Sequence, residues 1–166
     1  MTITENYIGK SGVEYIFEYS DVDSFDHLPY ELCRQTYAVC FYDDKMVIVH
    51  NGKQKTWGLV GGTIEEGESF AETLHREIAE ESNMQVIKFL PVGYQKVIDT
   101  RDGSFFFQLR YVCTARPYGP FTKDPAGTIT EIAIIDPSTY KQYFDWGQIG
   151  ERIITRALLL KPTISD

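Results

Sequence analysis

The sequence predicts a mixed α/β (α+β) fold, an α/β/α sandwich whose helices cover both faces of a mixed central sheet. Three observations predict it. Short runs rich in β-branched and aromatic residues, bounded by turn residues, recur along the chain. Two segments, 69–82 and 148–160, instead carry apolar residues at helical spacing, and they interrupt and follow the strands, which implies a sheet packed by helices. The length of 166 residues, 43% hydrophobic and 24% charged, suits one domain that buries its own core.

Residues 1–33 read as an N-terminal extension, a strand plus a loop, packing on or beside a main domain of residues 34–166. The strand is 13–18, which alternates as Val-Glu-Tyr-Ile-Phe-Glu, and the turn-rich Asp21-Val-Asp-Ser-Phe-Asp follows it. The β-rich runs 36–42 and 45–50 meet at Asp43-Asp44, a hairpin signal. Asn51-Gly52 marks another turn, and Trp57-Gly-Leu-Val-Gly-Gly leads into an acidic segment. Further strands are expected near 89–98 and 105–114, separated by Arg101-Asp-Gly-Ser, and near 129–136. The last element is a helix over 148–160, with Ile149, Ile153, Ala157 and Leu160 on one stripe.

Charge and cysteine usage exclude several classes. The net charge is −8, the opposite of the basic surface that a nucleic-acid polymer or an anionic membrane requires. Cys33, Cys40 and Cys113 form no CxxC pair, and two of them sit in apolar runs as free thiols usually do. That usage, with no basic-then-apolar leader at the start and no apolar run of ~18 residues, points to a cytoplasmic location.

The acidic segment carries the chemistry. Seven carboxylates lie between Glu65 and Glu81 against one cation, Arg76. Ser69 with Glu72 makes a capping-box pattern, so a helix starts at Phe70. Phe70, Ala71, Leu74 and Ile78 form its buried stripe. Glu77, Glu80 and Glu81, at i, i+3 and i+4, share a second stripe at the seam with the sheet. Like charges so placed repel unless a cation is present, and hard divalent cations take oxygen ligands shared among carboxylate, water and phosphate.

The segment Gly62-x5-Glu68-x7-Arg76-Glu77-Ile78-x-Glu80-Glu81-x-Asn83-Met84 resembles the Nudix box, G-x5-E-x7-R-E-U-x-E-E-x-G-U, with U a bulky aliphatic. Six fixed positions coincide by chance in roughly 10⁻⁵ of chains this long, at ordinary residue usage. The surrounding strand order extends the similarity over roughly residues 35–160. Asn83 stands in place of the last glycine, after the helix end, where Asn is the best-tolerated substitute. Val60 stands where many relatives have proline.

The resemblance implies a Nudix-type fold and a pyrophosphohydrolase that cleaves a nucleoside diphosphate linked to some other group. It implies Mg²⁺, with Mn²⁺ as a substitute, held by Glu77, Glu80, Glu81 and the carbonyl of Gly61. Arg76 would orient Glu77, and Glu68 and Gly62 would shape the loop. Glu77 is the first choice for general base, and Glu131, entering a strand, is an additional carboxylate. Gln108 and Arg110 alternate onto one strand face and are expected to meet substrate, Arg110 on a phosphate. His27, His50 and His75 have no metal-ligand spacing.

The compact chain points to a nucleoside triphosphate, with ADP-ribose or a nucleotide sugar as the alternative and an N-terminal extension able to support a homodimer. A non-catalytic nucleotide sensor of the same family would usually lack a box acid and carry a second domain. An isomerase of isoprenoid diphosphates on this fold would need a cysteine in its cleft.

Overall fold

The computed structural model describes residues 2–122, 124, 125 and 127–165. Among these are nine strands: β1 (Thr2–Ile8), β2 (Glu14–Asp21), β3 (Cys33–Tyr42), β4 (Lys45–Asn51), β5 (Thr56–Gly58), β6 (Val60–Thr63), β7 (Met84–Asp99), β8 (Phe105–Pro117) and β9 (Ile129–Ile135). Helices α1 (Phe70–Ser82) and α2 (Gly147–Leu160) complete the set. The sheet runs β1-β2-β7-β8-β3-β4-β5, with β6 added on β3 and β9 on β4. β3 and β8 are parallel while the other pairs are antiparallel, so the sheet is mixed.

Alternation along the strands makes two cores. Ala38 and Cys40 of β3 and Leu109, Tyr111 and Cys113 of β8 meet Leu74 and Ile78 of α1 on one face. Val39, Phe41 and Val112 point the other way and meet Ile149, Ile153, Ile154 and Ala157 of α2. Helices therefore cover both faces, as the pattern predicts. Both stripes are short apolar rows at i, i+4 spacing, the arrangement that a helix lying on a sheet buries.

Two elements exceed the sequence expectation. β1 is not foreshadowed because most of its residues are exposed, so an edge strand leaves no apolar alternation to read. It pairs with β2, and β2 with β7, so the N-terminal residues lengthen the sheet. β7 begins at Met84, directly after α1, and its register shifts at Val86/Lys88 and Pro91/Gly93. Each bulge resets the in–out alternation, which conceals the first half of the strand.

The hairpin β1–β2 is tied to α2. Glu5 accepts a hydrogen bond from the Ile149 amide at 3.1 Å, capping a helix whose own N-cap residue, Trp146, supplies no side-chain bond. Asp21 pairs with Arg152, and Asp23 with Arg156 at 2.6 Å.

Candidate active site

The site is built where α1 meets β6. Ser69 Oγ accepts from the Glu72 amide at 3.1 Å and starts the helix at Phe70. At its other end Asn83 adopts the left-handed conformation, φ 54 and ψ 42, that the sequence assigns to this position. The Asn83 side chain also donates to the Pro120 carbonyl at 3.1 Å.

The loop entering α1 is cross-linked through Arg76, which pairs with Glu68 and, at 3.8 Å, with Glu65. Arg76 donates from Nε to Glu68 Oε2 at 2.7 Å, from Nη2 to Glu68 Oε1 at 2.9 Å and from Nη2 to the Thr63 carbonyl at 2.9 Å. Glu68 also accepts from the Glu65 amide and the Thr73 hydroxyl. The Arg76 bonds hold its carboxyl down at about 2. Arg76 Nη1 meanwhile reaches Glu77 at 2.9 Å and Glu80 at 3.3 Å. One cation thus serves acids on both the loop and the helix, so every one of these geometries depends on it.

The box glutamates differ sharply in solvation. Glu81 follows Leu74 and Ile78 on the buried row and is 8% exposed. It accepts from the Gly61 amide at 2.8 Å. Burial, less that bond and with Glu77 adding repulsion, pushes its carboxyl up to about 8. Burial also raises Glu77, against the pull of Arg76. Glu80 is the most open of the three, its side chain 34% exposed.

Two glycines let these acids approach the sheet. A Cβ on Gly62 would fall 2.5 Å from Glu77 Oε1. A Cβ on Gly61, at φ 156, would fall 2.1 Å from the Thr36 carbonyl and 2.7 Å from the Tyr37 ring. Gly61 accepts no side chain with β3 where it is, and a side chain at Gly62 would displace the Glu77 carboxylate from its place.

A fourth carboxylate joins the group without any sequence signal. Asp124, between β8 and β9, is 2% exposed and accepts from the Thr128 hydroxyl and the Ile129 amide, both at 3.1 Å. Its charge bears on both Glu77 and Glu81. Only the folding of its loop brings it there, and a lone Asp-Pro pair is indistinguishable from a turn. Glu131, the expected extra acid, sits exposed on β9 opposite His50. Gln108 and Arg110 lie on the α2 face of β8, with Arg110 buried. Among the described residues no three acidic, histidine or cysteine side chains close into a ready-made metal cage. No described helix is long and apolar enough to cross a membrane.

The layered mixed sheet, with a glycine turn feeding an acid-rich helix, can be compared with known proteins. The NUDIX domain model matches residues 33–150. The chain belongs to that family. Solved structures share the fold. That of a Bacillus subtilis pyrophosphohydrolase, BsRppH, is 14% identical with a TM-score of 0.67, covering 97% of this chain and 99% of that one. A NUDIX hydrolase from Nitrosomonas europaea is 18% identical (TM-score 0.63, covering 76% and 89%). A MutT protein from Bacillus halodurans is 20% identical (TM-score 0.56, covering 76% and 81%). No curated protein sequence matches significantly.

Proposed function

We propose that this chain is a Mg²⁺-dependent pyrophosphohydrolase that cuts a nucleoside diphosphate linked to another group, with a nucleoside triphosphate as the first candidate substrate. The observation that carries the reading is the buried Glu81, beside Glu77 and Glu80, which among the described residues share the cation Arg76. A carboxyl raised to about 8 is poorly placed for stability. It makes sense as half of a site that a cation completes. The donors are all oxygens, which suits a hard divalent ion.

Glu77, Glu80 and Glu81, with the Gly61 carbonyl, would hold the ion. Bound there, it would neutralise phosphate oxygens and acidify water. The protein's own share is positional. Arg76 takes Glu77 Oε1, which fixes that carboxylate and leaves its other oxygen to accept a proton from the attacking water. Burial raises Glu77, making it a better proton acceptor than a solvated glutamate. Glu68 holds Arg76 in place through the loop. The Bacillus subtilis structure, which spans nearly the whole chain, supports this reading by being that of a pyrophosphohydrolase. Gln108 and Arg110 would contact substrate, with Glu131 a peripheral third.

The test is a panel of nucleoside triphosphates, ADP-ribose, nucleotide sugars and dinucleoside polyphosphates, incubated with and without Mg²⁺ and analysed for phosphate-containing products. Mg²⁺-dependent cleavage of triphosphates to monophosphate and pyrophosphate is expected. Tight binding with no turnover of any member would replace the enzyme by a sensor.

A further inference from the structure

Among the described residues, three buried side-chain atoms have no hydrogen-bond partner: Thr36 Oγ1, Arg110 Nε and Tyr140 Oη. Tyr140 belongs to the α2 core and Arg110 to the α2 face of β8. Thr36 faces the other way. Along β3 it shares a side with Ala38 and Cys40, which pack under Leu74 and Ile78 of α1. It is 0% exposed, and a buried hydroxyl left unbonded calls for a reason. Valine has nearly the same shape and no hydroxyl to strip of water. Thr73, equally buried on α1, shows the ordinary solution: its hydroxyl bonds Glu68 Oε1 at 3.0 Å and the Ser69 carbonyl at 3.2 Å.

Register identifies the neighbours of Thr36. It lies opposite Leu109 across β3–β8 and opposite Gly62 across β3–β6. The Leu109 side chain offers no polar atom. Gly62 has no side chain, and the place its Cβ would take lies 2.5 Å from Glu77 Oε1 and 2.8 Å from Oε2. The Glu77 carboxylate therefore stands where a Gly62 side chain would be. Facing side chains of an antiparallel pair start about 4.5–5.5 Å apart. The Thr36 hydroxyl and the Glu77 carboxylate are thus cross-strand neighbours that are not bonded to each other.

Glu77 has room for this donor. Oε1 accepts from Arg76 at 2.9 Å, and among the described residues Oε2 accepts no hydrogen bond. A carboxylate oxygen has two lone pairs, so a hydroxyl on Oε2 still leaves one for the attacking water. Glu80 and Asp124 repel the Glu77 charge. A cation among the acids offsets that repulsion, and an ionised carboxylate holds a donor more strongly than a neutral one.

We propose that Thr36 is a positioning residue of the metal site: with a divalent cation on the α1 acids, its hydroxyl donates to Glu77 Oε2 and fixes the plane of that carboxylate. Arg76 then holds one oxygen from the loop and Thr36 the other from the sheet. The inference rests on the metal-dependent reading of the site. Groups that orient a ligand without touching the metal change its affinity by about 10–100-fold.

The experiment compares wild type, Thr36→Val and Thr36→Ser in two ways. One is a Mn²⁺ titration with the free ion followed by electron paramagnetic resonance, and the other is melting in EDTA. Thr36→Val should bind Mn²⁺ about tenfold more weakly. It should melt in EDTA no lower than wild type, because an unbonded buried hydroxyl has been removed. Thr36→Ser keeps the hydroxyl and should bind within about threefold of wild type. Binding by Thr36→Val within twofold of wild type would overturn the assignment, as would a Thr36→Ser as weak as Thr36→Val. A Thr36→Val that melts several degrees lower in EDTA, or does not fold, would make the hydroxyl part of the metal-free fold and overturn it equally. A wild type that binds no Mn²⁺ would sink the metal-dependent reading and this proposal together, whereas tight binding by all three proteins sinks the proposal alone.

Discussion

Glu81 differs from a solvated glutamate in when it gives up its proton. Its ordinary value is 4.5 and the fold raises it to about 8, so between those limits the folded chain holds a proton that the unfolded chain has released. Stability from this group is therefore complete below about 4.5 and declines as pH rises toward 8, at up to about 1.4 kcal/mol per pH unit. The melting temperature of metal-free protein should drop from pH 5.5 to 8, and Glu81→Gln should flatten that slope. Parallel profiles for the two proteins would show that Glu81 is not the group responsible. Asn83 is a second single-residue case. Its left-handed backbone favours glycine, yet glycine would lose the bond to Pro120. The two effects oppose, so Asn83→Gly should shift stability by less than about 0.5 kcal/mol in denaturant titration, while Asn83→Ala should cost about 1 kcal/mol. At this scale the shared stripe of Glu77, Glu80 and Glu81 was legible from helix spacing, whereas Arg76 and Asn83 were picked out by the resemblance to the Nudix box. Asp124 and the isolation of Arg110 were not, since both depend on what a distant loop or strand places alongside.

Among the elements, α1 and its entry loop form a unit. Ser69→Ala removes the bond to the Glu72 amide and should cost about 1 kcal/mol of stability. Arg76→Gln acts differently. It releases Glu68 and the Thr63 carbonyl together, so amide exchange over residues 63–68 should accelerate while α2 stays protected. Equal acceleration in both regions would mean general destabilisation instead. The sequence delimits α1 almost to the residue because its cap, apolar stripe and terminal Asn83 agree. It delimits β7 poorly because two bulges interrupt the alternation, and it passes over β1 because an exposed edge strand has no apolar face.

For the molecule as a whole, the chain ends meet at α2. Glu5, in the first strand, caps a helix 144 residues further on, and Asp21 and Asp23 bind its arginines. Glu5→Ala should lower stability by about 1 kcal/mol, or roughly 2–4 °C in a domain of this size, read by calorimetry. No pattern within the first strand announces that contact, because only the assembled sheet brings β1 beside α2. Helices on both faces were legible from two apolar stripes, whereas the strand order was not, since register and crossover are settled by packing between distant segments.

The proposed function makes the acids of α1 a metal-dependent site for cleaving pyrophosphate bonds. Turnover of a nucleoside triphosphate, followed across a Mg²⁺ titration for wild type and Glu81→Gln side by side, tests it most directly. Wild type should be silent without Mg²⁺ and active with it, and the variant, folded and with its bond to Gly61 kept, should lose at least a hundredfold in rate. A variant within a few-fold of wild type at saturating Mg²⁺ would contradict the assignment of Glu81 to the metal.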